Sequence, residues 1–405
     1  MRGIPGSAVL IFILFILLTE ALAYWAIIRL IHERKLKKRV SLFYLGVTIV
    51  FLVIWLMAFL NPDKIRQTSN YQFFYFVIFI SFLNIIPKTV ISLFAVSSLP
   101  FHLLKKKISS QVILLCGMIL SLGIILNIGY AVAFGKKTIR TELVELTLPG
   151  LPESLDQLKI IQISDIHLGS FENDQFLERC AREINRHKPD LIFFTGDIVN
   201  NYYQEILGFE EHLKAMQATY GKFAILGNHD YGDYSDWQKK EDKIFNRQMV
   251  NQKLIEAGFR LLLNESELVV IGDTSIAVIG VENWGHEPFP QYANLKEAMK
   301  GLPENSFQIL LTHDPSHWES QVINQTNAHL TLSGHTHGGQ FALKIAGIEF
   351  SPISLIQKHW GGLYRHDKQY LYVNRGIGCV GFPGRIDMAP EITVITLRSN
   401  GVKID

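Results

Sequence analysis

Along the first third of the chain, apolar residues accumulate in long stretches and do not alternate with polar ones. Four such stretches run approximately from Ser7 to Ile31, Val40 to Leu60, Tyr71 to Ser97 and Gln111 to Phe134. Each reaches the roughly 20 residues needed to cross a ~30 Å hydrocarbon core. Runs of this length seldom occur as buried core helices, so the pattern predicts four transmembrane helices within residues 1–134. From about Leu158 short apolar runs take over. They are LKIIQIS (Leu158–Ser164), LIFFTG (Leu191–Gly196), KFAILG (Lys222–Gly227), FQILLT (Phe307–Thr312) and AHLTLSG (Ala328–Gly334). Runs apolar along their whole length predict strands buried on both faces, as in sheets covered by helices. Between the first two, Phe176, Leu177, Cys180 and Ile184 share one face of a helix. Later runs, ELVVI, SIAVIGV, YLYVN and EITVITL, with turn signals such as Gly272-Asp273 between them, predict hairpin-connected strands. The expected architecture is four membrane spans, a juxtamembrane connector over 135–157 and a layered α/β domain over 158–405.

Charge adds orientation to this picture. Arg2, an apolar run and Ala21-Leu22-Ala23 imitate a secretory signal, but the stretch continues through Tyr24, Trp25, Ile27, Ile28 and Ile31, so it reads as an uncleaved span. The loop after span one holds Arg34, Lys35, Lys37, Lys38 and Arg39, and the loop after span three holds Lys105, Lys106 and Lys107. The opposite side has only Arg2, Lys64, Arg66, Lys136, Lys137 and Arg140. The positive-inside bias points the first two loops at the cytoplasm. Four spans then place the C-terminal domain on the extracytoplasmic side of the cell membrane. The basic loops are also candidates for anionic lipid, although topology alone explains them. Inside the spans, Glu20 and Lys88 (which follows Pro87) are ionisable, and such groups are functional hypotheses by default. For Lys88, snorkelling to an interface competes on equal terms. A net charge of only +2 lacks the mark of a nucleic-acid binder. Cys116, Cys180 and Cys379 have no zinc-type spacing and no disulfide framework; Cys180 and Cys379 read as buried thiols.

The five buried runs share one property: each ends in metal-binding residue types. They lead into Asp165-Ile166-His167, Asp197, Asn228-His229-Asp230, His313-Asp314 and His335-Thr336-His337. Ligand sites in α/β sheets form where strands end and loops converge. One strand-end Asp is usually a turn former, and one His is more often structural, but five matching ends are hard to attribute to chance. Asp165, His167, Asp197, Asn228, His313, His335 and His337 offer four imidazoles, two carboxylates and an amide oxygen. That exceeds the needs of one tetrahedral ion and suits two divalent ions sharing a carboxylate. Nitrogen and oxygen donors without thiolate suit manganese, iron or zinc. Two ions about 3.5–4 Å apart clamp both oxygens of an in-line phosphoryl displacement and supply hydroxide near neutral pH. The expected chemistry is phosphate-ester hydrolysis.

The blocks D-I-H, G-D, G-N-H-D, T-H-D and G-H-T-H, in this order, resemble the calcineurin-like metallophosphoesterase superfamily. The later NRGIGCVGFPGRIDMAPEITVI resembles its small bacterial membrane-associated branch, typified by the YkuE- and YaeI-like phosphoesterases. The resemblance implies an αββα-type sandwich after the four-helix transmembrane region, with a dinuclear site at one edge. It also implies that Asp165, His167 and His337 hold one metal, that Asn228, His313 and His335 hold the other, and that Asp197 bridges them. His229 then contacts the substrate phosphate and protonates the leaving oxygen, with Asp230 orienting its ring. Gly227, Gly334, Gly338 and Gly339 allow sharp turns and close approach around these blocks. Ser/Thr protein phosphatases of the superfamily follow the second block with an arginine. Here Gly196-Asp197-Ile198-Val199-Asn200-Asn201 has none, so that activity is not expected. Arg375 and Arg385 are candidate replacements, against a reading as surface loop arginines. His286, His317, His359 and His366 match no block, and Trp284 either lines the pocket or caps an apolar edge.

The leading expectation is a membrane-anchored phosphodiesterase or pyrophosphatase acting on a lipid-linked or head-group substrate. Its partners are a phosphate ester and the lipid bilayer, with no nucleic acid. A nucleotide or cyclic-nucleotide phosphodiesterase is the enzymatic alternative. A metal-dependent membrane sensor or binding module is the alternative from another class.

Overall fold

The computed structural model describes residues 6–61, 69–148, 150–286, 290–303, 306–345 and 348–399. Arg2, Lys64 and Arg66, counted above for orientation, and Pro149 lie outside them. The chain divides into two compact units, one built on the helices that end at Ala133, the other on nearly everything from Phe134 onward.

The first unit contains α1 (Gly6–Leu30), α2 (Arg34–Leu60), α3 (Gln72–Leu103) and α4 (Lys107–Ala133). All four are long and apolar enough to cross a bilayer. Three outrun their apolar stretches: α2 begins at Arg34, α4 at Lys107, and α3 continues past Ser97 to Leu103. Large apolar side chains such as Leu17, Phe43, Val50, Leu93 and Leu126 point outward, while Ala23, Ala26, Ala95, Ser98 and Ser121 are buried between helices. Small residues at the contacts let backbones approach, the usual way helices associate without a hydrophobic driving force. A methyl group on Gly117 would overlap the Phe94 side chain. Glu20 and Lys88 do not act separately. Lys88 Nζ lies 2.6 Å from Glu20 Oε1, and Asn84 and Thr48 also donate to that carboxylate. The pairing, not snorkelling, accounts for Lys88.

The second unit stacks two six-stranded sheets. One has the order β1 (Arg140–Leu148), β14 (Glu391–Ser399), β2 (Lys159–Ile163), β3 (Leu191–Phe194), β4 (Gly221–Ala224), β5 (Phe259–Leu261). Its β2–β5 are mutually parallel, β14 is antiparallel to β2, and β1 is parallel to β14. The other has the order β12 (Gly362–His366), β13 (Gln369–Val373), β9 (Leu330–Ser333), β8 (Phe307–Leu311), β7 (Thr274–Gly280), β6 (Glu265–Ile271). A small hairpin, β10 (Leu343–Ile345) with β11 (Ile348–Phe350), stands apart.

Successive residues of one strand enter different cores, as the period of two demands. Ile160, Leu191, Phe193 and Phe223 join Ile276, Val278, Ile309 and Leu332 between the sheets. Ile161, Ile192 and Phe194 face the other way, against α5 (Gln175–Arg186), α6 (Glu210–Ala215) and α7 (Lys240–Glu256), which contribute Leu177, Cys180, Ile184, Leu213, Val250 and Leu254. Outside the second sheet, Ile279, Leu310 and Leu371 pack on Leu295, Ala298, Trp318 and Val322. Helices over both outer faces make the αββα sandwich expected from the sequence.

Two local expectations fail. The connector 135–157 contains β1, whose alternating charged and apolar residues suit a sheet edge. The runs YLYVN and EITVITL are not a hairpin; they are β13 and β14, in different sheets.

Candidate metal centre

At the carboxyl ends of β2, β3 and β9 the chain leaves the sheets through backbone that few residues adopt. Asp165, His167, Asp197, His335 and His337 all have φ between +43° and +73°, the left-handed region disfavoured for residues with a Cβ. The strain is sustained by a lattice of main-chain bonds. Asp165 N–H donates to the Gly196 carbonyl, His167 N–H to that of Asp197, and Gly334 N–H to that of His313. Strand ends remote in sequence are thereby tied together, and their side chains converge. Two glycines permit this. A methyl on Gly227 would overlap Asp197 Oδ1, and one on Gly334 would overlap Ser164 Oγ and an Asp165 carboxylate oxygen.

All seven sequence-predicted ligands form one contiguous cluster. Asp197 Oδ2 stands between two imidazoles, 3.5 Å from His167 Nε2 and 3.2 Å from His313 Nε2. His337 Nε2 lies 3.1 Å from His167 Nε2 and 3.3 Å from Asp165 Oδ1. Asn228 Oδ1 lies 2.9 Å from His335 Nδ1, and the His335 ring is 5.1 Å from that of His313. The His313 Nδ1–H donates to the Thr195 carbonyl at 2.7 Å, which turns Nε2 toward the carboxylates.

The electrostatics separate the imidazoles: against burial, Asp197 and Asp165 raise His313 to about 10, so without a cation it carries the proton that pairs with Asp197. Burial pushes the His167 imidazole down to about 3 and holds His337 well below its ordinary value, so both are neutral donors. Burial pushes the Asp165 carboxyl up to about 6, and Asp197 adds to the effect. Against burial, His313 and His229 hold Asp197 well below the usual carboxylate range.

The residues fit a metal. Oxygen and nitrogen atoms of Asp165, His167 and His337 lie within 4.8 Å of one another, as do those of Asp165, Asp197 and His313. His313 Nε2 is buried and faces both carboxylates, 3.2 Å from Asp197 Oδ2 and 4.0 Å from Asp165 Oδ1. Imidazole nitrogens 3.1 Å apart, beside two buried carboxylates, are what a cation between them would reconcile.

His229 borders the cluster, with a ring nitrogen within 4.8 Å of donor atoms of His167 and Asp197. Its N–H donates to Asp197 Oδ1, its ring stacks on Tyr234 at 4.3 Å, and its Nδ1 is 2.8 Å from the Asn200 carbonyl. Asp230 does not orient that ring, contrary to expectation. Its carboxylate accepts N–H bonds from Asp197, Ile198, Val199 and Gly227. Four adjacent amides capture it more readily than an imidazole that faces the other way. Orienting falls to Asn200, whose N–H and side-chain amide are fixed by Glu205.

Both candidate arginines are structural and not surface residues. Arg385 is 1% exposed and donates to the carbonyls of Gly378, Arg375 and Met388, while Arg375 pairs with Glu391 at 2.8 Å. His317 is buried, stacked on Trp284 and bonded to Thr312; His359 packs on Trp318 and Tyr364; His366 is on the edge strand β12. His286 does approach the site, 3.1 Å from buried Asp314, which follows the ligand His313. Tyr234 and the carbonyl of Asn200 escaped sequence reasoning, because neither a period nor a motif marks them; Asp314 was marked, as the last residue of the T-H-D block.

The calcineurin-like phosphoesterase family profile matches residues 158–339. The Bacillus subtilis metallophosphoesterase YkuE is 34% identical over 257 residues, covering 62% of this chain and 82% of that protein. A Danio rerio transmembrane protein with metallophosphoesterase domain is 29% identical over 259 residues, covering 63% of this chain and only 56% of that one. An Aquifex aeolicus metallophosphoesterase is 27% identical over 266 residues, 65% and 93% of the respective chains.

Proposed function

Because the chain belongs to the calcineurin-like phosphoesterase family, it is a metal-dependent phosphoric ester hydrolase, and we propose that it uses two divalent ions to cleave a phosphodiester or pyrophosphate bond in a lipid-linked or head-group substrate. The observation that carries the two-ion reading is Asp197 Oδ2, flanked by His167 and His313 at 3.5 and 3.2 Å. Asp165, His167 and His337 form the donor set on one side of it; Asn228, His313 and His335 form the other. Such ions, when bound, supply Lewis acidity and lower the pKa of water. The protein's own part is to hold their ligands and to place a proton. With Nδ1 engaged by Asn200, His229 presents Nε2 to the substrate, where it contacts the phosphate and protonates the leaving oxygen.

The lipid part of the reading is supported by covalent attachment of the catalytic unit to four bilayer-length helices. The charge bias of their loops favours a multi-pass protein with its catalytic domain on the extracytoplasmic side.

The test uses the full chain in non-ionic detergent with added manganese. Hydrolysis of a chromogenic phosphodiester is compared with that of its monoester, a cyclic nucleotide and a lipid pyrophosphate. Asp197→Asn serves as the control and is expected to lose activity together with bound metal. Lipid pyrophosphate or diester turnover above the monoester supports the proposal. Preference for the cyclic nucleotide would replace the substrate class. Two bound metals with every substrate untouched would favour a sensor.

A further inference from the structure

Three helix ends meet at one point of the first unit: the last turns of α1 and α3 and the first turn of α4. They line an open cavity of about 350 Å³ bordered by Arg29, His102, Lys105, Lys107, Ser110 and Gln111. A water molecule's share of volume is about 30 Å³, so the space holds a group far larger than one water.

The charges around it are of one sign. Among the described residues no carboxylate pairs with Arg29, Lys105 or Lys107. The Arg29 guanidinium meets only an imidazole, 2.8 Å from His102 Nε2, and lies over the Trp25 ring at 4.8 Å. Helix α4 begins at Lys107 and has no acidic residue in its first turn. The first-turn amides of a helix have no acceptor within it, and the dipole there favours an anion. Lysines at that end have the wrong sign. Cations and the positive end of a helix dipole around one cavity are mutually repulsive until a negative group enters.

Topology does not require this arrangement. Arg34, Lys35, Lys37, Lys38 and Arg39 satisfy a positive-inside bias from a loop and the start of a helix. Arg29, in contrast, is within the last turn of α1, half-buried, and lines the cavity. Below the polar residues the cavity meets buried Leu114, on a helix that is apolar thereafter. An occupant with a phosphate at one end and acyl chains at the other matches that gradient. We propose that this cavity binds the phosphate of an anionic phospholipid, independently of the phosphoesterase centre.

The full chain, purified in non-ionic detergent, is titrated with dioctanoyl phosphatidylglycerol and followed by native mass spectrometry. Dioctanoyl phosphatidylcholine and free glycerol phosphate are run beside it. One phosphatidylglycerol should bind saturably. The double variant Lys105→Gln/Lys107→Gln, which changes two exposed side chains, should weaken it about tenfold, as should Arg29→Gln. Lys37→Gln/Lys38→Gln removes the same charge from residues outside the cavity and should leave binding unchanged. An equal loss in that control would reduce the effect to bulk attraction and overturn the site. So would phosphatidylcholine binding as tightly as phosphatidylglycerol, or indifference to the Lys105/Lys107 change. Glycerol phosphate binding as tightly as the lipid would make the ligand a free phosphate and overturn the lipid assignment.

Discussion

Residues 227–230 show how adjacent side chains divide their work. Asn228 belongs to the candidate ligand cluster, His229 has its Nδ1 fixed by Asn200, which leaves Nε2 for the proposed substrate contact, and Asp230 gathers the amides that shape the loop after β3. Removing the imidazole should therefore leave the metal centre intact. His229→Ala should keep its metal content by elemental analysis while turnover falls about 10²–10⁴-fold, the range for a lost general acid. Loss of metal in that variant would make His229 a ligand. The opposite split is expected at Gly334. An alanine methyl there collides with Ser164 and Asp165, so Gly334→Ala should lose bound metal while its far-ultraviolet circular dichroism stays that of the parent. Unchanged metal content would show that the loop yields. The seven candidate ligands were legible because strand-end polar residues after apolar runs are a local signal. Asn200 acts through its carbonyl, and Arg385 hides a guanidinium among carbonyls; a sequence records neither.

Among the elements, α3 and β4 carry testable electrostatics of opposite kinds. In α3, Lys88 meets Glu20 of α1, with both side chains largely shielded. Breaking a buried pair by removing one partner strands the other charge. Glu20→Leu should cost about 3 kcal/mol in detergent unfolding of the full chain. Adding Lys88→Met should recover most of that loss, and additive losses would deny the coupling. In β4, burial lowers Lys222 from 10.5 to about 8, while its Nζ donates to the carbonyls of Leu213 and Ala257. Between those two values the unfolded chain binds more protons than the folded one, so this lysine's contribution to stability rises with pH from about 8 to 10.5 and is flat below 8. The wild type should gain on Lys222→Met over that interval in denaturant titrations, and a constant difference would refute the shift. Strands β2, β3, β4, β8 and β9 were readable because both faces are apolar. In β1 the charged positions of an edge strand mimic a connector, and the antiparallel pairing of β14 with β2 depends on a partner more than two hundred residues away.

For the whole molecule, the lengths of the apolar runs separated an apolar helical region from an α/β domain, because crossing a bilayer takes a far longer run than a buried strand does. It could not reveal the basic cavity at the ends of α1, α3 and α4, since three helices assemble that feature. The order of strands in the first sheet carries a further consequence, for biosynthesis. Its second position is taken by β14, inserted between β1, which directly follows the helices, and β2, whose end carries Asp165. The segment just before β14 also fastens that end, with Ile377 and Gly378 donating to the Ser164 and Asp165 carbonyls. A nascent chain that has emerged as far as His337 therefore holds every ligand but not the strand that joins β1 to β2. The donor cluster is therefore expected to close only once translation has passed Ser399, so that a ribosome stalled earlier leaves it unformed.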